Sequence, residues 1–135
     1  MAGLRYSDDV PGVDEFIRLR GDAGLTPNEP DAATRGLAGT FCAVCVRDGD
    51  RLVGMGRVAG DGGCHFQVVD IAVHPDYQRR GIGRGIMSRL MTELRERAPR
   101  TAYVSLIADG DASKLYEQFG FRPVAPESIG MAQRL

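Results

Sequence analysis

The stretch from His65 to Arg97 restricts this chain more than any other. His65 to His74, bounded by Asp61-Gly62-Gly63 before it and Pro75 after it, is expected to be the longest and most apolar strand. It reads as a buried strand near the centre of a sheet. Beyond Pro75 the apolar period changes from two to that of a helix. Ile86, Met87, Leu90, Met91 and Leu94 fall on one stripe, while Arg89, Glu93 and Arg97 stack on another, as helical neighbours do. The loop between strand and helix reads Gln78-Arg79-Arg80-Gly81-Ile82-Gly83-Arg84-Gly85. A strand entering a glycine-rich loop that opens an amphipathic helix belongs to a fold in which helices cover a sheet.

The flanking segments extend this pattern. The first forty residues read as helical, with Val13, Phe16, Ile17 and Leu19 near helical spacing, Gly21 and Gly24 ending the pattern, and a second short helix after Pro30. Phe41 to Val46 and Leu52 to Val58 flank the turn Asp48-Gly49 and read as an antiparallel hairpin. Tyr103 to Ile107 reads as a strand, Ala112 to Phe119 as a helix stopped by Gly120, and Phe121 to Val124 as the start of a last strand. A chain of 135 residues without repeats or linkers is expected to form one domain over residues 1–135. Its class is mixed α/β, a twisted sheet flanked by helices.

Composition sets limits on function. Seventeen Lys and Arg against eighteen Asp and Glu leave a net charge of −1, so no global field exists to hold nucleic acid or an anionic membrane, and any anion site must be local. Cys42, Cys45 and Cys64 are too few for a disulfide framework and read as buried free thiols of a reducing compartment. His65 and His74 are the only histidines, with no metal-site spacing, so no structural metal is expected. The start of the chain lacks the apolar stretch of a signal peptide and no later run reaches membrane-spanning length, which points to the cytoplasm.

The loop has a chemistry of its own. A glycine-rich turn opening a helix presents unpaired N–H groups and the positive end of the helix dipole, an arrangement suited to phosphate. Gly81 and Gly83 allow close backbone approach, and Arg79, Arg80 and Arg84 supply charge. The alternative is an ordinary solvated turn. Gly83 is followed by Arg84 and Gly85 rather than by Lys and Ser or Thr, and the three glycines alternate, so neither the Walker loop nor the dinucleotide fingerprint fits.

Gln78-Arg79-Arg80-Gly81-Ile82-Gly83, following Ala72-Val73-His74-Pro75, resembles the Gln/Arg-x-x-Gly-x-Gly/Ala signature of the GNAT superfamily of acyl-CoA-dependent N-acetyltransferases. Ala112-Ser113-Lys114-Leu115-Tyr116-Glu117-Gln118-Phe119-Gly120-Phe121 is similar to that superfamily's Ala-x-x-Leu-Tyr-x-x-x-Gly-Phe segment. The resemblance implies a mostly antiparallel sheet splayed at its central strands, with acetyl-CoA as cosubstrate. Its pantetheine arm would pair with the backbone of Ile71, Ala72 and Val73 and lie between the strands like an added strand. The amides of Arg79, Arg80, Gly81, Ile82, Gly83 and Arg84 would wrap the pyrophosphate, and the amine would enter from the opposite side of the sheet.

The same resemblance places Tyr116 near the CoA sulfur, where a phenol can protonate the departing thiolate, and makes the Val73 amide the oxyanion donor. The general base is less defined. Simple alternation puts His65, Gln67, Val69, Ile71 and Val73 on one face, and Phe66, Val68, Asp70, Ala72 and His74 on the other. Relatives draw the base from the face of Gln67 and Val69, neither of which accepts a proton. Asp70, the only carboxylate within the strand, is expected to act as base through ordered water, with a buried structural anchor as its other reading and Asp61 and Asp109 as alternatives. His74 reads as a solvated or capping residue. The expected reaction is direct acetyl transfer to the primary amine of a small molecule, with a peptide N-terminus as a further acceptor and a noncatalytic CoA-binding sensor as the competing function. A homodimer is the superfamily's common habit.

Overall fold

The computed structural model describes residues 3–135; Met1 and Ala2, the first residues of the expected domain, lie outside the described residues. The chain runs β1 (Leu4–Ser7), α1 (Val13–Asp22), α2 (Pro30–Ala38), β2 (Thr40–Asp48), β3 (Arg51–Gly60) and β4 (His65–Val73). It continues through a 3-10 turn at Pro75–Tyr77, α3 (Ile82–Arg97), β5 (Tyr103–Ser105), a second 3-10 turn at Gly110–Ala112 and α4 (Ser113–Glu117). The five strands form one sheet in chain order. The first four are antiparallel and β5 joins β4 in parallel. This is the expected mixed α/β class, a mostly antiparallel sheet flanked by helices.

Helices cover both faces of the sheet. On one face Ile82, Ile86, Met87, Leu90 and Leu94 of α3 pack with Val44, Val46, Val53, Val58, Phe66 and Val68. On the other, Phe16 and Leu19 of α1 and Ala33 and Leu37 of α2 meet Cys45, Leu52, Met55 and Ala72. Each helix thus buries one apolar stripe, the main source of stability for amphipathic helices. Glu15 reaches back to accept the Gly12 N–H at 2.8 Å and takes a two-pronged ion pair from Arg47 on β2. The guanidinium holds the Glu15 carboxyl below its usual range, and the pair fastens the start of α1 to the sheet.

Three expectations are corrected. Leu4–Ser7, within a region read as helical, is an edge strand paired with β2; four residues are too few to show a period, and only the partner strand makes them extended. Phe121 to Val124 is not a strand. Pro123 lacks an N–H, and among the described residues no strand lies on the outer side of β5 to pair with it. Cys64 is exposed, whereas Cys42 and Cys45 are buried as expected, and burial pushes both of their thiols up to about 11.

Helix α3 can lie this close to the sheet because β3 is glycine-rich beneath it. A Cβ on Gly56 would sit 2.5 Å from Ile71 Cδ1 and 2.6 Å from Ile86 Cγ2. Ile86 is fully buried and Cγ2 is the methyl fixed directly to its branched Cβ, so it has little room to yield. Gly56→Ala is expected to destabilise the fold by about 1–3 kcal/mol, the range for overpacking a filled core. A denaturant midpoint equal to that of the wild type would show that α3 is free to shift.

Candidate active site

The sheet opens between β4 and β5. Their pairing covers only His65↔Tyr103, Phe66↔Val104 and Gln67↔Ser105, and β4 continues to Val73 without β5 beside it. The His74 N–H donates to Val53 of β3 at 2.8 Å. Backbone groups alternate sides along a strand, so the N–H and C=O of Val73 point away from β3 into the opening. The Gln78 side-chain amide donates to that C=O at 3.0 Å. The Val73 N–H therefore faces the splay.

An irregularity in β4 changes which side chains flank this opening. Gly54 pairs with Val73 and Met55 with Ala72, but Arg57 pairs with Val69. One extra residue of β4 is accommodated opposite Gly56, a β-bulge. Asp70 sits in it with φ +58°, a left-handed conformation that costs a non-glycine residue about 1 kcal/mol, less for Asp than for most. The bulge corrects the simple alternation. Phe66 and Val68 pack against the α3 cluster, and so do Ile71 and Val73, whereas Asp70 and Ala72 face α1 and α2.

The helix that follows begins as expected. Gly81, at φ +81° and ψ 9°, caps α3 in a left-handed conformation that glycine adopts freely. The first helical bond runs from Gly85 N–H to the Gly81 carbonyl at 3.0 Å, which leaves the N–H groups of Ile82, Gly83 and Arg84 without a partner within the helix. Gly81, Arg84, Gly85, Ser88, Gln118 and Phe119 line a cleft between the start of α3 and the end of α4. Arg79 has φ +64°, and Arg80 stands 5.2 Å over the Tyr77 ring. Tyr77 in turn donates to Asp48, which ties the turn to the β2–β3 hairpin. Gly85 has a different task from the other two loop glycines: a Cβ there would lie 2.8 Å from the Tyr6 hydroxyl.

Tyr116 stands on α4, half-buried against the same cluster as Ile71 and Val73. Burial first, and the Asp109 charge second, raise its phenol above the ordinary value, so it carries its proton throughout the neutral range. Leu115 beside it reaches the first turn of α3, with Cδ2 3.5 Å from where a Gly83 Cβ would be.

The candidate carboxylates have different surroundings. Asp70 is paired on both oxygens, Oδ1 with Arg20 of α1 and Oδ2 with Arg57 Nε at 2.6 Å; the three side chains are only 10–14% exposed. Asp70 is thus the centre of an ion-pair cluster. Asp61 caps the turn before β4 by accepting the N–H groups of Gly63, Cys64 and His65, and these bonds lower its pKa. Asp109 precedes the second 3-10 turn and is exposed. His74 is a cap, its Nδ1 accepting the Asp76 N–H at 3.1 Å. Arg20 and Arg57 went unnoticed in the sequence, although a carboxylate inside an apolar strand is itself a signal that a cation must be found for it.

The family model described as "Acetyltransferase (GNAT) domain" matches residues 27–131. A Staphylococcus aureus protein of unknown function, SA2161, described as a probable acetyltransferase, is 43% identical with a TM-score of 0.93, over 98% of this chain and 99% of that one. The uncharacterized N-acetyltransferase ycf52 of Porphyra purpurea is 35% identical over 71 residues, 53% of this chain and 40% of that protein. The [ribosomal protein bS18]-alanine N-acetyltransferase of Escherichia coli is 43% identical over 53 residues, 38% of this chain and 36% of that protein. The chain thus spans about two fifths of the length of these two curated relatives. With the splayed sheet, the glycine-rich start of α3 and this match over residues 27–131, the chain belongs to the GNAT acetyltransferase family.

Proposed function

We propose that this protein transfers an acetyl group from acetyl-CoA directly to a primary amine. The observation that carries the reading is the edge of β4 beyond Gln67 that, among the described residues, no strand covers, followed along the chain by the N–H groups of Ile82, Gly83 and Arg84, which have no partner within α3. An extended pantetheine arm fits such an edge as an added strand, with the backbones of Ile71 and Val73 as its partners, whereas the expected pairing of Ala72 is corrected because its backbone groups point to β3. The amides and side chains from Arg79 to Arg84 receive the pyrophosphate. Acetyl-CoA supplies the thioester. The Val73 N–H receives the charge that develops on the carbonyl oxygen; the Tyr116 phenol gives its proton to the sulfur as it leaves and regains one, by way of water, from the amine nitrogen as the amide forms.

For the acceptor we propose a small-molecule amine. A peptide α-amine is the second reading, favoured by the similarity to an enzyme named for the alanine of a ribosomal protein. A turnover screen over amines and peptides separates the two, and acetyl-CoA binding without turnover on any of them would support the noncatalytic sensor. Among the described residues no helix is long and apolar enough to cross a membrane, and we place the protein's work in the cytoplasm.

We also propose a homodimer. Among the described residues, the exposed large apolar side chains gather in the last third, at Tyr103, Ile107, Val124, Ile129, Met131 and Leu135, with Val10 the exception. Contiguous apolar patches mark interaction surfaces, and these side chains are the candidates to supply one.

Three outcomes test these readings. Gly83→Val is expected to weaken CoA binding at least tenfold, about 1.4 kcal/mol, with an unchanged circular dichroism spectrum, since a Cβ there meets only Leu115 at an ordinary 3.5 Å; undiminished calorimetric affinity would move the pyrophosphate elsewhere. Tyr116→Phe is expected to lower kcat by roughly 10²-fold at nearly constant CoA affinity. Because the phenol is raised rather than lowered, its loss should remove no ionisation from the neutral part of the pH profile, and a fully active variant would assign the proton to water. The double substitution Ile129→Glu and Met131→Glu is expected to convert a dimer to a monomer in light scattering, and a monomeric wild type would end the dimer proposal.

A further inference from the structure

The cluster formed by Asp70, Arg20 and Arg57 joins every element around the splay on one face of the sheet. Arg20 comes from α1 and also donates to the Thr26 carbonyl after that helix. Arg57 comes from β3 and donates through Nη1 to the Gly36 carbonyl of α2 and to Thr40 Oγ1 at the start of β2, both at 3.3 Å. Both guanidiniums stand over the Phe16 ring, at 5.8 and 6.0 Å. Asp70 is where these contacts converge. It is also the left-handed residue of the β4 bulge, three positions beyond the last β4–β5 pair.

The position of the bulge matters for the backbone after it. With the extra residue at this point, Ile71 and Val73 turn their side chains onto the α3 cluster, where Ile71 Cδ1 fills the space above Gly56. The backbone of the same residues faces the opening. If the bulge relaxed to regular pairing, the residues after it would change face, because side chains alternate with period two. Something must hold a left-handed aspartate in the middle of an apolar strand, and two arginines carried on α1 and β3, one of them tied to α2 and β2, supply that hold.

We propose that Asp70 is a positioning residue: with Arg20 and Arg57 it locks the β4 bulge and so aims the Ile71–Val73 backbone into the splay. The proposal rests on the acetyl-transfer reading for its functional consequence, while the clamp itself is a property of the fold. It assigns a role to Arg20 and Arg57 and separates Asp70 from the proton transfer.

The test compares four variants with the wild type by calorimetry of acetyl-CoA, by the pH profile of kcat, and by amide hydrogen exchange at His74, whose N–H bridges to Val53. Asp70→Asn keeps the shape and removes the charge, and Arg57→Gln removes the charge and the guanidinium fork from the other side. Both are expected to weaken acetyl-CoA binding about tenfold, to speed exchange at His74, and to leave the shape of the pH profile unchanged. Arg57→Lys, which keeps a cation, is expected to recover part of both losses. Asp70→Gly accepts the left-handed conformation without the carboxylate, so it is expected to resemble Asp70→Asn. Wild-type binding and exchange in Asp70→Gly would overturn the clamp, because backbone tolerance alone would then suffice. Loss of an acid limb from the pH profile of Asp70→Asn, with unchanged binding and an unaffected Arg57→Gln, would overturn it in favour of a general base. A wild-type chain that bound no acetyl-CoA would end the transferase reading instead, and the exchange measurement would still decide the clamp. Should Asp70→Asn fail to fold, Asp70→Gly and Arg57→Lys carry the same comparison.

Discussion

One extra residue in β4 organises the rest of this molecule. Up to Val69 the strand pairs with β3 in one register and from Ala72 in another, and the change falls just beyond the point where β5 leaves. A bulge bends its strand and increases the local twist, so β4 turns out of line with β5 where the opening begins. Helix α3 follows the second register. Its side chains pack over Gly56 and onto Ile71 and Val73, so the start of α3 inherits its place from the bulge. The backbone that faces the opening and the amides at the helix start are thereby set by one local change of pairing.

Charge is used locally rather than globally. The net charge is −1, yet two arginines meet one aspartate on β4, and the start of α3 presents amides without a partner within the helix at the positive end of its dipole. Breaking a buried ion pair on one side typically costs about 3–5 kcal/mol, because the remaining charge is left uncompensated. Such clusters tolerate little change, which suits a site whose backbone must be held in one geometry. Arginine's planar fork bonds several oxygens at once: Arg57 bridges Asp70, Gly36 and Thr40, and Arg20 bridges Asp70 and Thr26.

Much of the fold was legible in the sequence for elementary reasons. The apolar stripe of α3, the glycines at 81 and 83, the turn at Asp48-Gly49 and the capping role of His74 are local, and local rules reach them. Leu4–Ser7 and Phe121 to Val124 were misread for a common reason. Whether a short segment is extended depends on whether a partner strand lies beside it, and no window of neighbouring residues contains that information.

The site divides along the same line. The chemistry available is set by residue type and local pattern: a phenol at Tyr116, amides without a partner within the helix at the start of α3, and a carboxylate at Asp70 inside an apolar run, because residue type and helix-start geometry are local properties. Tertiary structure decided what those groups face. Arg20 is fifty residues from Asp70 along the chain and Arg57 thirteen, and only the folding of α1 and β3 onto β4 brings both to one carboxylate. The bulge was equally beyond local reading, since pairing register is set between strands and a single inserted residue reverses every face assignment after it.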